Sequence, residues 1–220
     1  MGFKLYTKDF LTYFEQAKEK IASQKDYVTE LDSTTGDGDH WVNVNMGFEK
    51  ITSLAKDMEN LSVSDMFKKV GMTMFSAVGG SSGALYGSGY IAASKASAGK
   101  EYLDVNSLYE TYNAFLEEMM KRGKTTPNQK TMVDALYYGL LAYKDALDQG
   151  LDEETIIKKF IDGANEGAEK TKEMKAVKGR ASYRTDLGVG HLDPGAVTMA
   201  MQLECLGNYI LNKIKTVSEE

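Results

Sequence analysis

Cysteine is nearly absent from this chain of 220 residues: Cys205 stands alone, and no internal disulfide is open to it. The first residues, Met1-Gly-Phe-Lys-Leu-Tyr-Thr-Lys-Asp9, lack the apolar stretch of a secretion signal. No run approaches the roughly 18 apolar residues that a membrane-crossing helix needs. Together these absences predict a cytoplasmic protein with no membrane partner. Excess positive charge is missing too. The net charge of −6 excludes a general nucleic-acid binder, which needs a basic surface to displace counterions from phosphates. Internal repeats, low-complexity tracts and Gly/Ser/Pro-rich linkers are also absent, so nothing marks a domain boundary. With 42% hydrophobic and 26% charged residues, a chain of this length is expected to fold as one domain over residues 1–220.

What is present is helical periodicity, with no strand pattern to interrupt it. Phe10, Phe14, Ala17 and Ile21 recur at three- and four-residue intervals, as do Val44, Phe48, Ile51 and Ala55. A third helix is predicted from about Ser64 through Phe67, Val70 and Met74. A fourth, rich in Gly and Ala and so suited to close packing, follows Ser82 with Leu85, Tyr86 and Ile91. Leu108, Tyr112, Phe115 and Met119 mark a fifth. Met132, Leu136, Leu140 and Tyr143 mark a sixth ending near Gly150, and Ile156, Ile157, Phe160, Ala164 and Ala168 a seventh. The eighth opens on Asp193-Pro194, a capping carboxylate before one of only two prolines, and runs through Val197, Met201 and Leu203 to about Lys215. Residues 175–191 are too irregular to join a helix. The series predicts an all-α fold, an antiparallel up-and-down bundle of eight helices.

Four glycine-bearing stretches precede the even-numbered helices of that series: Gly36-Asp-Gly-Asp-His40, Gly79-Gly-Ser-Ser-Gly83, Arg122-Gly-Lys124 and Gly190-His-Leu-Asp-Pro-Gly195. In an up-and-down bundle these junctions share one end. Helix N-termini offer unpaired N–H groups and partial positive charge, and glycine admits a phosphate to them. The first stretch also gathers Asp32, Asp37 and Asp39 within eight residues. Such like charges persist where water solvates a turn or where cations neutralise them. Hard carboxylate oxygens opposite phosphate-binding helix ends favour Mg²⁺, which bridges the two. An EF-hand lacks its acidic residue at loop position twelve, and one cysteine with two distant histidines does not close a zinc site.

The ordered motifs Gly36-Asp-Gly-Asp-His40 with Asn43, Val78-Gly-Gly-Ser-Ser-Gly-Ala-Leu-Tyr-Gly87, Arg122-Gly-Lys124 with Lys130-Thr-Met-Val-Asp134, Lys178-Gly-Arg-Ala-Ser-Tyr183 and Gly190-His-Leu-Asp-Pro-Gly-Ala196 cover essentially the whole chain. In order and spacing they resemble the nucleotide-binding L subunit of dihydroxyacetone kinases. That resemblance implies an eight-helix barrel with ADP or ATP held at one end through two Mg²⁺ ions. It implies Asp32, Asp37 and Asp39 as metal ligands and His40, Trp41, Val42, Asn43, Ser81 and Ser82 around the phosphates. Gly123 and Met132 would line the adenine and ribose side, Arg180 would reach the phosphates, and Asp193, Pro194 and Gly195 would close the pocket. Its implied partners are a phosphotransferase-system phosphoryl donor subunit and a separate K subunit that binds dihydroxyacetone.

The chain departs from the family pattern at Trp41, where glycine commonly follows the histidine, and at Ser81 and Ala84, which replace alanine and proline. Thr185-Asp186-Leu187 occupies the place of a Gly-Glu-Arg, with Arg184 three positions away as a substitute arginine. Two other functions share the same residues: a non-catalytic MgADP-binding regulator, and a kinase subunit for another small hydroxyketone. A Mg²⁺-dependent phosphatase would need a nucleophile or general base that no motif supplies.

Overall fold

Each apolar stripe becomes one side of a helix whose other side meets water. The computed structural model describes residues 2–219, with side chains to residue 216, and contains nine α-helices among them. These are α1 (Thr7–Ser23), α2 (Lys25–Thr35), α3 (His40–Ser53), α4 (Val63–Ala77), α5 (Gly80–Ala96), α6 (Val105–Gly123), α7 (Met132–Asp148), α8 (Glu153–Lys170) and α9 (Pro194–Glu219). No strand is present among the described residues. A single antiparallel bridge, Leu5 to Leu103, ties the N-terminal segment to the loop before α6.

Eight of the nine form a closed ring. α3 packs on α4, α4 on α5, and so on in chain order to α9, while α1 closes the circle by packing on both α9 and α3. The ninth is α2, which the sequence reading did not predict. Gln24 alone separates it from α1, and it lies against α3 and α9. Its buried positions are Val28, Asp32 and Thr35, so two of the three residues on its inner stripe are polar and no apolar period marks it. Smaller differences concern ends. α5 starts at Gly80 rather than after Ser82, and Ala55 falls in a 3-10 turn beyond α3.

Aromatic rings fill the interior of the ring of helices. Tyr90 of α5 sits 5.9 Å from Phe14, 6.0 Å from Phe67 and 4.9 Å from Phe115, which joins α1, α4, α5 and α6 across the centre. Each such side chain, fully buried, contributes about 1.5–3 kcal/mol of transfer free energy. The small residues of α5 allow the close packing expected of them: a Cβ on Gly89 would stand 2.9 Å from the Phe115 ring.

Alternation of direction follows from where the helices start. Tyr6, Ser62 and Asp104, which precede α1, α4 and α6, border two neighbouring shallow depressions, and Glu153 of α8 accepts a hydrogen bond from the Phe3 N–H at 2.8 Å. The starts of α3, α5, α7 and α9 meet in a separate cleft.

Candidate functional site

That cleft, about 600 Å³ in volume, is lined by all four glycine-bearing junctions together with the C-terminal end of α2 and part of the 178–183 loop. The junctions are not equivalent, because their backbone N–H groups find different partners.

At the start of α3 the donor is satisfied from α2. Asp32 is buried, and its Oδ2 accepts from the His40 N–H at 2.9 Å. Asp37 and Asp39 follow on the turn, and carboxylate oxygens of Asp32, Asp37 and Asp39 all lie within 4.8 Å of one another. Glycine makes the approach possible: a Cβ on Gly36 would stand 2.3 Å from Asp32 Oδ1. Arg180 reaches over from the loop, with Nη2 at 2.6 Å from Asp37 Oδ2.

The start of α5 is bare. Its cap residue is Gly79, no side chain accepts from the first turn, and Ser81 and Ser82 sit within that turn and line the cleft. Gly80 takes φ +64°, a left-handed conformation that glycine adopts without strain. This first turn therefore offers an anion site in the simplest form: free N–H groups, the positive helix end, and two hydroxyls.

The starts of α7 and α9 are already capped by side chains, so their first N–H groups are not open as those of α5 are. Asp134 accepts from Thr131 N–H at 2.7 Å and from the Asn128 N–H, while Thr131 caps Val133. Asp193 accepts from Ala196 N–H at 2.7 Å, the cap predicted from Asp193-Pro194. These ends form walls: Met132, Val133, Leu85 and Gly123 give one side of the cleft an apolar surface.

Of the residues singled out from sequence, Asp32, Asp37, Asp39, His40, Asn43, Ser81, Ser82, Gly123, Met132, Arg180, Asp193, Pro194 and Gly195 all line this one cleft. Trp41 and Val42 do not. At 100° per residue only His40 and Asn43 of the first α3 turn face the cleft. Trp41 turns back toward α1, where its Nε1–H donates to the Ile21 carbonyl at 2.9 Å, and Val42 is exposed to solvent. Arg184 stands outside the lining as well: its guanidinium forks onto Asp186 at 2.8 and 2.7 Å and donates to the Thr34 carbonyl at 2.6 Å.

Lys130 was not singled out, although its motif was visible. It is 1% exposed, takes φ +61°, and donates from Nζ to the carbonyls of Thr171 and His191, tying the 175–191 loop to the cleft. Burial lowers its pKa and raises that of Asp134. Burial also pushes the Asp193 carboxyl up to about 7, against the Ala196 N–H and the Lys130 charge, which favour ionisation. It lowers that of His40, against the nearby carboxylates of Asp32 and Asp39.

The sequence pattern of the DAK2 domain matches residues 34–208. A Lactococcus lactis protein described as the ADP-binding subunit DhaL of PTS-dependent dihydroxyacetone kinase is 40% identical over 86% of this chain and 90% of its own length. DhaL of the PEP-dependent dihydroxyacetone kinase 1 of Listeria innocua is 36% identical over 89% and 93%, and the Escherichia coli DhaL 32% over 84% and 89%. Among solved structures, the dihydroxyacetone kinase of C. freundii superposes with a TM-score of 0.70 at 25% identity, covering 90% of this chain. The present chain spans 34% of that larger kinase, which has also been solved in complex with AMP-PNP and Mg²⁺ at a TM-score of 0.69. On the DAK2 match over residues 34–208 and identities of 32–40% across most of both lengths, this chain belongs to the DAK2-domain family.

Proposed function

We propose that this chain, as a single domain, is the ADP/ATP-binding subunit of a multi-subunit dihydroxyacetone kinase. It would hold the nucleotide through two Mg²⁺ ions and pass a phosphoryl group from a phosphotransferase-system donor subunit to dihydroxyacetone on a separate K subunit. One observation carries the reading: a three-carboxylate turn and an uncapped helix start share a single cleft. One gathers cation charge and the other receives anion charge, which is what a metal–diphosphate pair needs. The names of the relatives, ADP-binding subunits of PEP- or PTS-dependent dihydroxyacetone kinases, support the same assignment.

The residues present fit both groups. All three acidic ligands offer hard oxygen donors within 4.8 Å of one another, the donor set that Mg²⁺ prefers. A Cβ at Gly79 would stand 2.8 Å from Asn43 Oδ1, so glycine keeps the α5 turn and the α3 side chain close together at the phosphate side. The apolar wall of Leu85, Met132 and Val133 suits the flat face of a purine. When bound, the metal–nucleotide pair supplies a transferable phosphoryl group with its charge neutralised.

The protein's own part is positioning. Asp32, Asp37 and Asp39 fix the cations, while Ser81, Ser82 and the α5 N–H groups hold phosphate oxygens by dipoles already in place. Arg180, held by Asp37, stands beside that position with a charge able to follow the phosphates. Asp193, capping α9, sets the floor next to Met132. No residue of the cleft need form a covalent intermediate.

Reconstitution tests this directly. The chain is combined with a K subunit and a phosphorylated donor subunit, and formation of dihydroxyacetone phosphate is followed with ADP only in catalytic amount. Turnover that requires this chain and survives without added ATP is expected. MgADP binding without any phosphoryl flow would instead make the chain a regulator.

A further inference from the structure

The inward face of α9 is apolar at Met199, Leu203, Leu206 and Ile210, yet Thr198 and Gln202 interrupt it, 0% and 2% exposed. Opposite them on α5 stands Tyr86, 1% exposed. Buried polar groups cost free energy unless satisfied, and an apolar trio would fill the same space. What these three share is a continuous line of hydrogen bonds ending on His40.

Gln202 Nε2 donates to the Tyr86 hydroxyl at 2.7 Å and to the Thr198 carbonyl at 2.9 Å. Because a carbonyl accepts only from the NH₂ side, Thr198 fixes which way the amide faces, and both amide hydrogens are used. Tyr86 also stands beside the Thr198 side chain. The Thr198 hydroxyl in turn donates to the Gly195 carbonyl at 3.2 Å. That hydroxyl also meets His40 Nε2 at 2.8 Å, the shorter of its two contacts, with the direction following the ring tautomer. The ring is thereby held at Nε2 from the barrel interior, and Nδ1 of this cleft-lining side chain has no hydrogen-bond partner among the described residues.

We infer that Thr198, Tyr86 and Gln202 are positioning residues, which hold the His40 ring at Nε2 so that the other edge meets the metal–nucleotide complex. The inference rests on the nucleotide-binding reading above. It assigns the buried network a task in ligand recognition, since packing alone is served equally well by apolar groups of the same shape.

Thr198→Val and Tyr86→Phe each remove a hydroxyl at nearly constant shape. Thr198→Ser retains it. MgADP affinity by calorimetry, melting temperature, and ring ¹⁵N spectra of His40 are compared, with His191→Gln assigning the two histidines. Expected is a loss of at least tenfold in MgADP affinity for Thr198→Val, a changed His40 ring signature, and recovery of both in Thr198→Ser. Should Thr198→Val fail to fold, Tyr86→Phe, lacking one oxygen, is expected to weaken binding several-fold without lowering helix content. Wild-type affinity and an unchanged His40 signature in the folded variants would overturn the inference. Absence of MgADP binding by the wild-type chain would instead remove the nucleotide reading on which it stands.

Discussion

Gly36 is the residue of the acidic turn whose side-chain space is taken by Asp32. Alanine there would bring a Cβ to 2.3 Å from Asp32 Oδ1, and the carboxylate would have to swing out of the cleft. Gly36→Ala is therefore expected to cost at least tenfold in Mg²⁺-dependent ADP affinity with helix content retained; wild-type affinity would show that Asp32 does not need its present place. Asp193 makes a second residue-level prediction, in the ligand-free protein. Its folded pKa of about 7 lies above the roughly 3.9 of an unfolded aspartate, so between those values the folded state keeps a proton that the unfolded state has lost. Stability falls as pH rises through that window, by about 1.4 kcal/mol per unit at most. Asn caps a helix as well as Asp but does not titrate. The melting temperature of Asp193→Asn relative to wild type should accordingly rise from pH 4 to pH 8, and a constant difference would contradict the assigned burial effect. Thirteen of the fifteen residues named from sequence as candidate site residues line the cleft, because the helix junctions that form it each carry a short glycine-bearing motif. Lys130 escaped because a buried lysine tying two carbonyls leaves no periodic trace.

The elements explain which expectations failed. α2 was invisible because its buried stripe, Val28, Asp32 and Thr35, is mostly polar, and it is polar because it delivers a carboxylate to the cleft and caps α3. The helix that the apolar pattern did not reveal is thus the one that carries a candidate metal ligand. The helix starts divide in the same way. At the end opposite the cleft, α4, α6 and α8 are capped by Ser62, Asp104 and Asp152, whereas α5 presents its first turn uncapped. With Gly79 at the cap, leaving out a capping side chain forgoes only about a few tenths of a kcal/mol, a small cost consistent with keeping N–H groups for a ligand. Trp41 belongs to this scale. It sits beside the anticipated phosphate position in sequence, but the helical turn carries its indole to the end of α1, with Lys25 Nζ 5.3 Å from the ring. Saturating MgADP should leave tryptophan emission nearly constant while calorimetry registers binding. A large saturable change would mean that the α1–α2 junction moves with the ligand.

At the scale of the whole molecule, the up-and-down ring collects four helix starts at one end, one beside a three-carboxylate turn, one uncapped and two capped by side chains. The ring itself was legible from the 3.6-residue stripes, since each of the eight expected helices supplies one member. Closure was not: α1 meets α9 through residues far apart in sequence, including Asp9, which accepts from Tyr209 and Lys213 at 2.6 and 2.7 Å. No local pattern announces such a contact. Joining the two ends of the chain in one ring also links the cleft to global stability, because a ligand that binds only the folded state stabilises it by about 2.7 kcal/mol at 100 times its Kd. The most direct measurement is calorimetric titration of ADP into protein stripped of metal and nucleotide, with Mg²⁺ and again with excess chelator, alongside Asp37→Asn and Asp39→Asn. Saturable one-site binding in Mg²⁺, abolished by chelator and by either substitution, is expected. Binding that is indifferent to Mg²⁺, or no binding at all, would contradict the assignment of this cleft to a metal–nucleotide complex.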